Sequence, residues 1–179
     1  MDDGGIVAPP SVLSQVWDIF QKKGPQFGFF LNPSKCEWTW LDRSRADPCP
    51  LPAVQLVELE KVEILGVPLG SKDNTARYVR SKLLKSKEVL DRLAKFEDTQ
   101  VAFHLLKSSF SIVKATHFMR TTPVDEWMEE AKEFDRTLRG TAERMLGFPF
   151  HPEAYDQACL TTSMGGLGLR GCEEHALRA

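Results

Sequence analysis

Asp2 and Asp3, followed at once by Gly4 and Gly5, set two carboxylates side by side on a turn that glycine can make tight. Magnesium takes oxygen donors of this kind, using one or two protein carboxylates beside substrate phosphates. Two such ions carry out nucleotidyl transfer: one activates the attacking 3′-oxygen and the other steadies the triphosphate and the leaving group. The same residues also read as a plain solvated turn, and the dipeptide alone does not separate the two readings.

Other reactive side chains give less. His104, His117, His151 and His175 show no metal-ligand spacing and no pairing with a nucleophile. Cys36, Cys49, Cys159 and Cys172 form no CxxC pair, so free thiols in a reducing compartment are the simplest reading. No serine sits in a nucleophile-elbow pattern, and hydrolase chemistry finds no support.

The 179 residues, 42% of them hydrophobic, suffice for one ordinary domain or two small ones. Charge is uneven along the chain. Residues 1–71 carry 6 basic and 9 acidic groups, residues 72–120 carry 11 and 5, and residues 121–179 carry 6 and 11. A basic middle block points to a polyanionic partner, or equally to solvated helix faces. No signal peptide and no bilayer-length apolar stretch is evident, so an intracellular protein, cytoplasmic or nuclear and without a membrane partner, is expected.

These groups need elements to position them. Ser11 reads as the N-cap of a helix carrying Val12, Leu13, Val16, Trp17, Ile19 and Phe20, stopped by Lys22-Lys23-Gly24-Pro25. Cys36, Trp38 and Trp40 alternate as in a strand. The span 42–52, with three prolines, is a surface loop. A second extended region over 54–69 slips phase near Glu60-Lys61, which predicts a bulge or break, and then closes as a tight hairpin at Leu65-Gly66. Helices follow. Val79, Leu83, Leu90 and Leu93 form one stripe. Phe103, Leu106, Phe110 and Val113 form a face of a buried helix over about 100–116. Trp127, Ala131, Phe134, Leu138 and Ala142 form a ladder that starts near Pro123 and ends at Gly147. Gly165-Gly166-Leu167-Gly168-Leu169 is too flexible for a helix interior, and a further helix runs toward Ala179.

Four segments, in order, resemble the reverse transcriptase family of retrotransposon type. Met1-Asp2-Asp3 is similar to its Tyr-x-Asp-Asp box without the tyrosine. Gly28-Phe29-Phe30-Leu31-Asn32-Pro33-Ser34-Lys35-Cys36 looks like the next palm motif, and Glu63-Ile64-Leu65-Gly66-Val67-Pro68-Leu69-Gly70 is similar to the primer-grip hairpin. Thr162-Ser163-Met164-Gly165-Gly166-Leu167-Gly168-Leu169-Arg170 resembles a segment beyond the thumb. The resemblance spans nearly the whole chain.

It implies an α+β fold: a partial polymerase palm of short antiparallel strands with one helix over 1–71, a helical thumb-like bundle over 72–147, and a post-thumb segment over 148–179. Asp2 is implied as a metal ligand for Mg2+, Asp3 as its supporting carboxylate, and Lys35 as a proton donor near the leaving pyrophosphate. Leu65 and Gly66 are implied at the primer, and Lys82, Lys85, Lys87 and Arg92 at the phosphates of an RNA template and DNA primer. The alternatives are a solvated Lys35, a simple turn at Gly66 and an ordinary wet helix face.

The family's upstream catalytic aspartate, fingers and palm strand have no counterpart here. The expectation is therefore a fragment of an RNA-directed DNA polymerase, inactive alone, with self-association through an exposed palm edge. A nonspecific nucleic-acid-binding module and a helical interaction protein are the rivals.

Overall fold

The computed structural model describes residues 4–42, 44–45 and 47–176. Asp2 and Asp3 lie outside the described residues, as do 177–179. The chain divides into two compact units, Met1–Gly70 and Ser71–Ala179. It is mixed helical with a few short strands, compatible with α+β.

In the first unit, α1 covers Pro10–Lys23, with Pro9 at the N-cap and Pro10 in the first turn. Ser11 is thus inside the helix rather than its cap: proline has no N–H to leave unpaired and its fixed φ starts the helix unaided. Lys22 and Lys23 occupy the last turn. The chain winds on as a 3-10 turn over Gly24–Phe27 and stops at Gly28, whose φ of 74° is left-handed. Gly24 is tied to its position by crowding, since a Cβ there would lie 2.8 Å from the Phe29 carbonyl oxygen.

The extended segments condense into very short strands. β1 (Glu37–Trp38) pairs with β2 (Gln55–Leu56), and the pairing is parallel, not the antiparallel arrangement expected. The intervening loop has room to return the chain to the same end, and Gln55 N–H and Val57 N–H donate to the Cys36 and Trp38 carbonyls. The phase slip is a 3-10 turn at Leu59–Lys61. β3 (Glu63–Ile64) and β4 (Val67–Pro68) then form the antiparallel hairpin. Trp17, Trp38, Val62 and Pro68 are buried in this unit.

The second unit holds the main core, a cluster running from Val79 to Cys172. α2 (Lys72–Leu84) starts at Ser71, whose side chain accepts from Asn74 N–H, and α3 (Lys87–Leu93) follows. The single stripe is therefore carried by two helices. Lys85 and Ser86 keep right-handed backbone through the break, so the helical phase is preserved and Val79, Leu83, Leu90 and Leu93 are all buried.

The helix expected over 100–116 is broken more thoroughly. α4 (Thr99–Leu105), capped by Asp98, passes into a π turn at Leu106–Phe110, a 3-10 turn at Ile112–Lys114 and then α5 (Thr116–Thr121). A π turn adds about one residue to a turn and rotates everything after it. The buried set consequently runs Ala102, Leu106, Ser111, Ala115, Phe118, while Phe103 and Phe110 are half-buried and Val113 is exposed.

α6 (Met128–Leu146) carries the expected ladder: Trp127, Ala131, Phe134, Leu138 and Ala142 are buried. Gly147, at φ 79°, ends it. Thr141 is also buried, its hydroxyl donating to the Thr137 carbonyl. α7 (Pro152–Cys159) was not evident from sequence, and α8 (Cys172–Ala176) closes the described chain. Phe150, Ala158, Leu169 and Cys172 belong to the same core as α2–α6.

Candidate nucleic-acid interface

Lys35 ends a 3-10 turn at Pro33–Lys35. Asn32 builds that turn by accepting from both the N–H and the hydroxyl of Ser34. Lys35 is exposed. No carboxylate forms an ion pair with it among the described residues. Nor does any group of three His, Cys, Asp or Glu among those residues have the arrangement to hold a metal ion.

Leu65 and Gly66 are the two central residues of the β3–β4 hairpin. Both have positive φ, 51° and 79°. A two-residue turn of that handedness matches the twist of the strands it joins, and it normally recruits Asn-Gly or Gly-Gly. Leucine is unusual there, because its Cβ crowds the backbone at a cost of about 1 kcal/mol. The residue is nonetheless 73% exposed, so burial does not repay that cost.

The four cations implied at the phosphates do not share one setting. Lys82 lies on α2 with its ammonium 4.6 Å from the Tyr78 ring centroid. Lys85 is the exposed C-cap of that helix, Lys87 opens α3, and Arg92 sits in its last turn. Lys87 and Arg80 share a shallow groove with Glu130 and Glu133 of α6, and Arg80 is bridged to Glu133 at 3.2 Å. Acid from α6 therefore offsets that part of the basic surface. Lys85 and Arg92 form no ion pair among the described residues.

The glycine-rich segment has a structural task. It folds back over the end of α7: Leu167 N–H and Leu169 N–H both donate to the Ala158 carbonyl, and Gly168 N–H donates to that of Leu160. These bonds satisfy carbonyls that a helix end leaves open. Gly166 must lack a side chain, since a Cβ would collide with the Leu160 carbonyl and lie 2.7 Å from that of Gln157. Beyond it, Asp135 of α6 caps α8. Its Oδ1 accepts from Cys172 N–H at 2.7 Å and its Oδ2 from Glu173 N–H at 2.9 Å. Burial pushes the Asp135 carboxyl above its usual value, against the lowering effect of the two amides. Burial likewise raises the Cys159 and Cys172 thiols, which keeps them protonated and poor nucleophiles.

The same fold-back forms one wall of a cleft of about 300 Å³ whose other wall is the π turn and the residues after it. Lys107, Arg170 and His104 line it, together with the hydroxyls of Ser108, Ser111 and Thr162. Sequence patterns alone do not mark any of these residues for binding. The available signal was the polar run Lys107-Ser108-Ser109 inside an otherwise apolar helix, and Arg170 at the end of the glycine-rich motif.

No helix among the described residues is long and apolar enough to cross a membrane. Comparison of the chain with protein-family models, curated proteins and solved structures gives no match.

Proposed function

We propose that this chain is part of a retrotransposon-type reverse transcriptase that holds template and primer without turning over alone. The parent activity is RNA-directed DNA synthesis, acting in the cytoplasm or nucleus, with magnesium at Asp2 and Asp3. The observation that supports this reading most is the Leu65-Gly66 tip. An exposed leucine kept at strained backbone is hard to explain by folding, and strain of this kind gathers at ligand contacts. The order of the four motifs and the excess of basic residues over 72–120 support it further. Leu65 and Gly66 then meet the primer strand, Lys82, Lys85, Lys87 and Arg92 meet phosphates, and Lys35 stays near the pyrophosphate. Self-association through the first unit belongs to the same proposal, since Phe27 and Phe30 are 84% and 76% exposed.

Binding of an RNA–DNA duplex, followed by fluorescence anisotropy across a salt series, tests it. Each lost phosphate contact is expected to lower the salt slope by about 0.9. Affinity unchanged in a Lys82→Glu, Lys85→Glu double variant refutes the phosphate assignment. Primer extension with magnesium checks the catalytic half. Product that disappears in Asp2→Asn refutes the absence of turnover.

A further inference from the structure

We infer that the cleft between the π turn and the glycine-rich fold-back seats one sugar-phosphate unit of a single-stranded nucleic acid. Its charge is the first reason. Lys107 and Arg170 line it with no carboxylate in the described lining, and neither forms an ion pair among the described residues. Three other arginines of this unit are paired with acid, Arg80 with Glu133, Arg139 with Glu143 and Arg144 with Asp91, whereas Arg92, like Arg170, forms no ion pair among the described residues. Residues 121–179 carry 11 acidic and 6 basic groups, so a cleft without acid at Arg170 is not a result of composition.

Positioning is the second reason. Gly168 has φ 73°, and a Cβ there would lie 2.8 Å from Lys107 Nζ. The bare glycine leaves room for the end of the lysine side chain to lie across the backbone at the cleft, where a larger residue would displace it. Thr162 carries a hydroxyl with no hydrogen-bond partner among the described residues and is free to donate to a phosphate oxygen.

The third reason is what surrounds the cations. Ser108 and Ser111 donate their hydroxyl protons to the His104 and Lys107 carbonyls at 2.8 and 2.7 Å. With its proton so committed, Ser108 Oγ accepts from the Ser109 hydroxyl at 3.3 Å, and the lone pairs left on the Ser108 and Ser111 oxygens suit sugar hydroxyls rather than the phosphate. Ile112 and Val113 add apolar surface. A volume of about 300 Å³ lies at the small end of ligand sites, enough for a nucleotide unit and too little for a duplex. The assignment to a strand rests on the proposed nucleic-acid function; the phosphate seat rests on the cleft alone.

Amide NMR of the full chain tests both. Uridine 5′-monophosphate and a single-stranded uridine hexamer are titrated, with inorganic phosphate as reference. The expected result is shifts at Gly168, Thr162 and Ser111, with the hexamer bound more tightly than the monophosphate. Lys107→Gln and Arg170→Gln, whose spectra elsewhere report an intact fold, each weaken the hexamer about tenfold, as loss of one charge-assisted hydrogen bond should. Each also lowers the salt slope by about 0.7. No shift at Gly168 and Thr162, or unchanged affinity in both variants, overturns the inference. A monophosphate as tight as the hexamer makes the occupant a free nucleotide and overturns the strand assignment. Duplex binding that fails while these shifts persist refutes the proposed template-primer function and leaves the seat standing; duplex binding without the shifts does the reverse.

Discussion

Removing the Asp135 carboxylate tests how the end of the second unit is attached to its core. Asp135→Ala leaves the Cys172 and Glu173 N–H groups without their acceptor. Glu173 is exposed and its amide can be hydrated, whereas Cys172 is fully buried and its amide stays dry. The buried amide costs about 1–3 kcal/mol, and the loss of a capping interaction adds about 1. Desolvation of the carboxylate already works against the native pair, so the lower half of the range, about 2 kcal/mol, is expected. Urea unfolding reads this as a lower midpoint with an unchanged slope. Asp135→Asn keeps one acceptor, turns a donor toward the other amide and should fall between the two. The pH dependence has a definite sign. Burial raises the folded carboxyl above its unfolded value, so the titration-linked part of its contribution is full below the unfolded value and is lost as pH rises through the folded one, while the bonds to the two amides remain. Wild type should therefore lose stability relative to Asp135→Asn as pH climbs from the usual carboxylate value. A midpoint change equivalent to less than about 0.5 kcal/mol in Asp135→Ala, the level of an ordinary surface substitution, would refute the capping argument.

Two glycines with opposite surroundings give a paired expectation. Gly166→Ala drives a methyl into backbone that cannot yield and should cost about 1–3 kcal/mol, whereas Gly140→Ala, inside α6 with nothing within 4 Å, should gain about 0.5–1 kcal/mol; thermal melts of the two variants check the sign. At the hairpin tip, Leu65→Asn should relieve about 1 kcal/mol of backbone strain while weakening the RNA–DNA duplex. Equal or tighter duplex binding in that variant would remove the primer assignment.

Local periodicity was readable wherever the backbone kept its phase. The α6 ladder from Trp127 to Ala142 and its stop at Gly147 needed nothing beyond spacing and a glycine. The stripe from Val79 to Leu93 survived a break because Lys85 and Ser86 remained right-handed. Spacing alone puts Phe103 and Val113 on one buried face, but the π turn at Leu106–Phe110 shifts register, and no residue type announces such a turn. The parallel pairing of β1 and β2 was equally hidden, since two-residue strands leave no pattern of their own. Among the implied site residues, Leu65-Gly66 was legible as a turn, but its leucine in left-handed backbone was not. The Lys107–Arg170 cleft was invisible for a different reason: it joins segments some sixty residues apart that carry no shared local signal.

The bond from Asp135 to Cys172 spans 37 positions in sequence, and the one to Glu173 spans 38. α2 to α6 can wind locally, but the surface that receives Leu169 and Cys172 stays open until that later stretch arrives. Because synthesis runs from the N-terminus, this surface is the last of the described core to gain its partners as the chain emerges. The glycine-rich fold-back and α8 thus act as a clasp, completing from the C-terminal side a core whose other helices all precede them.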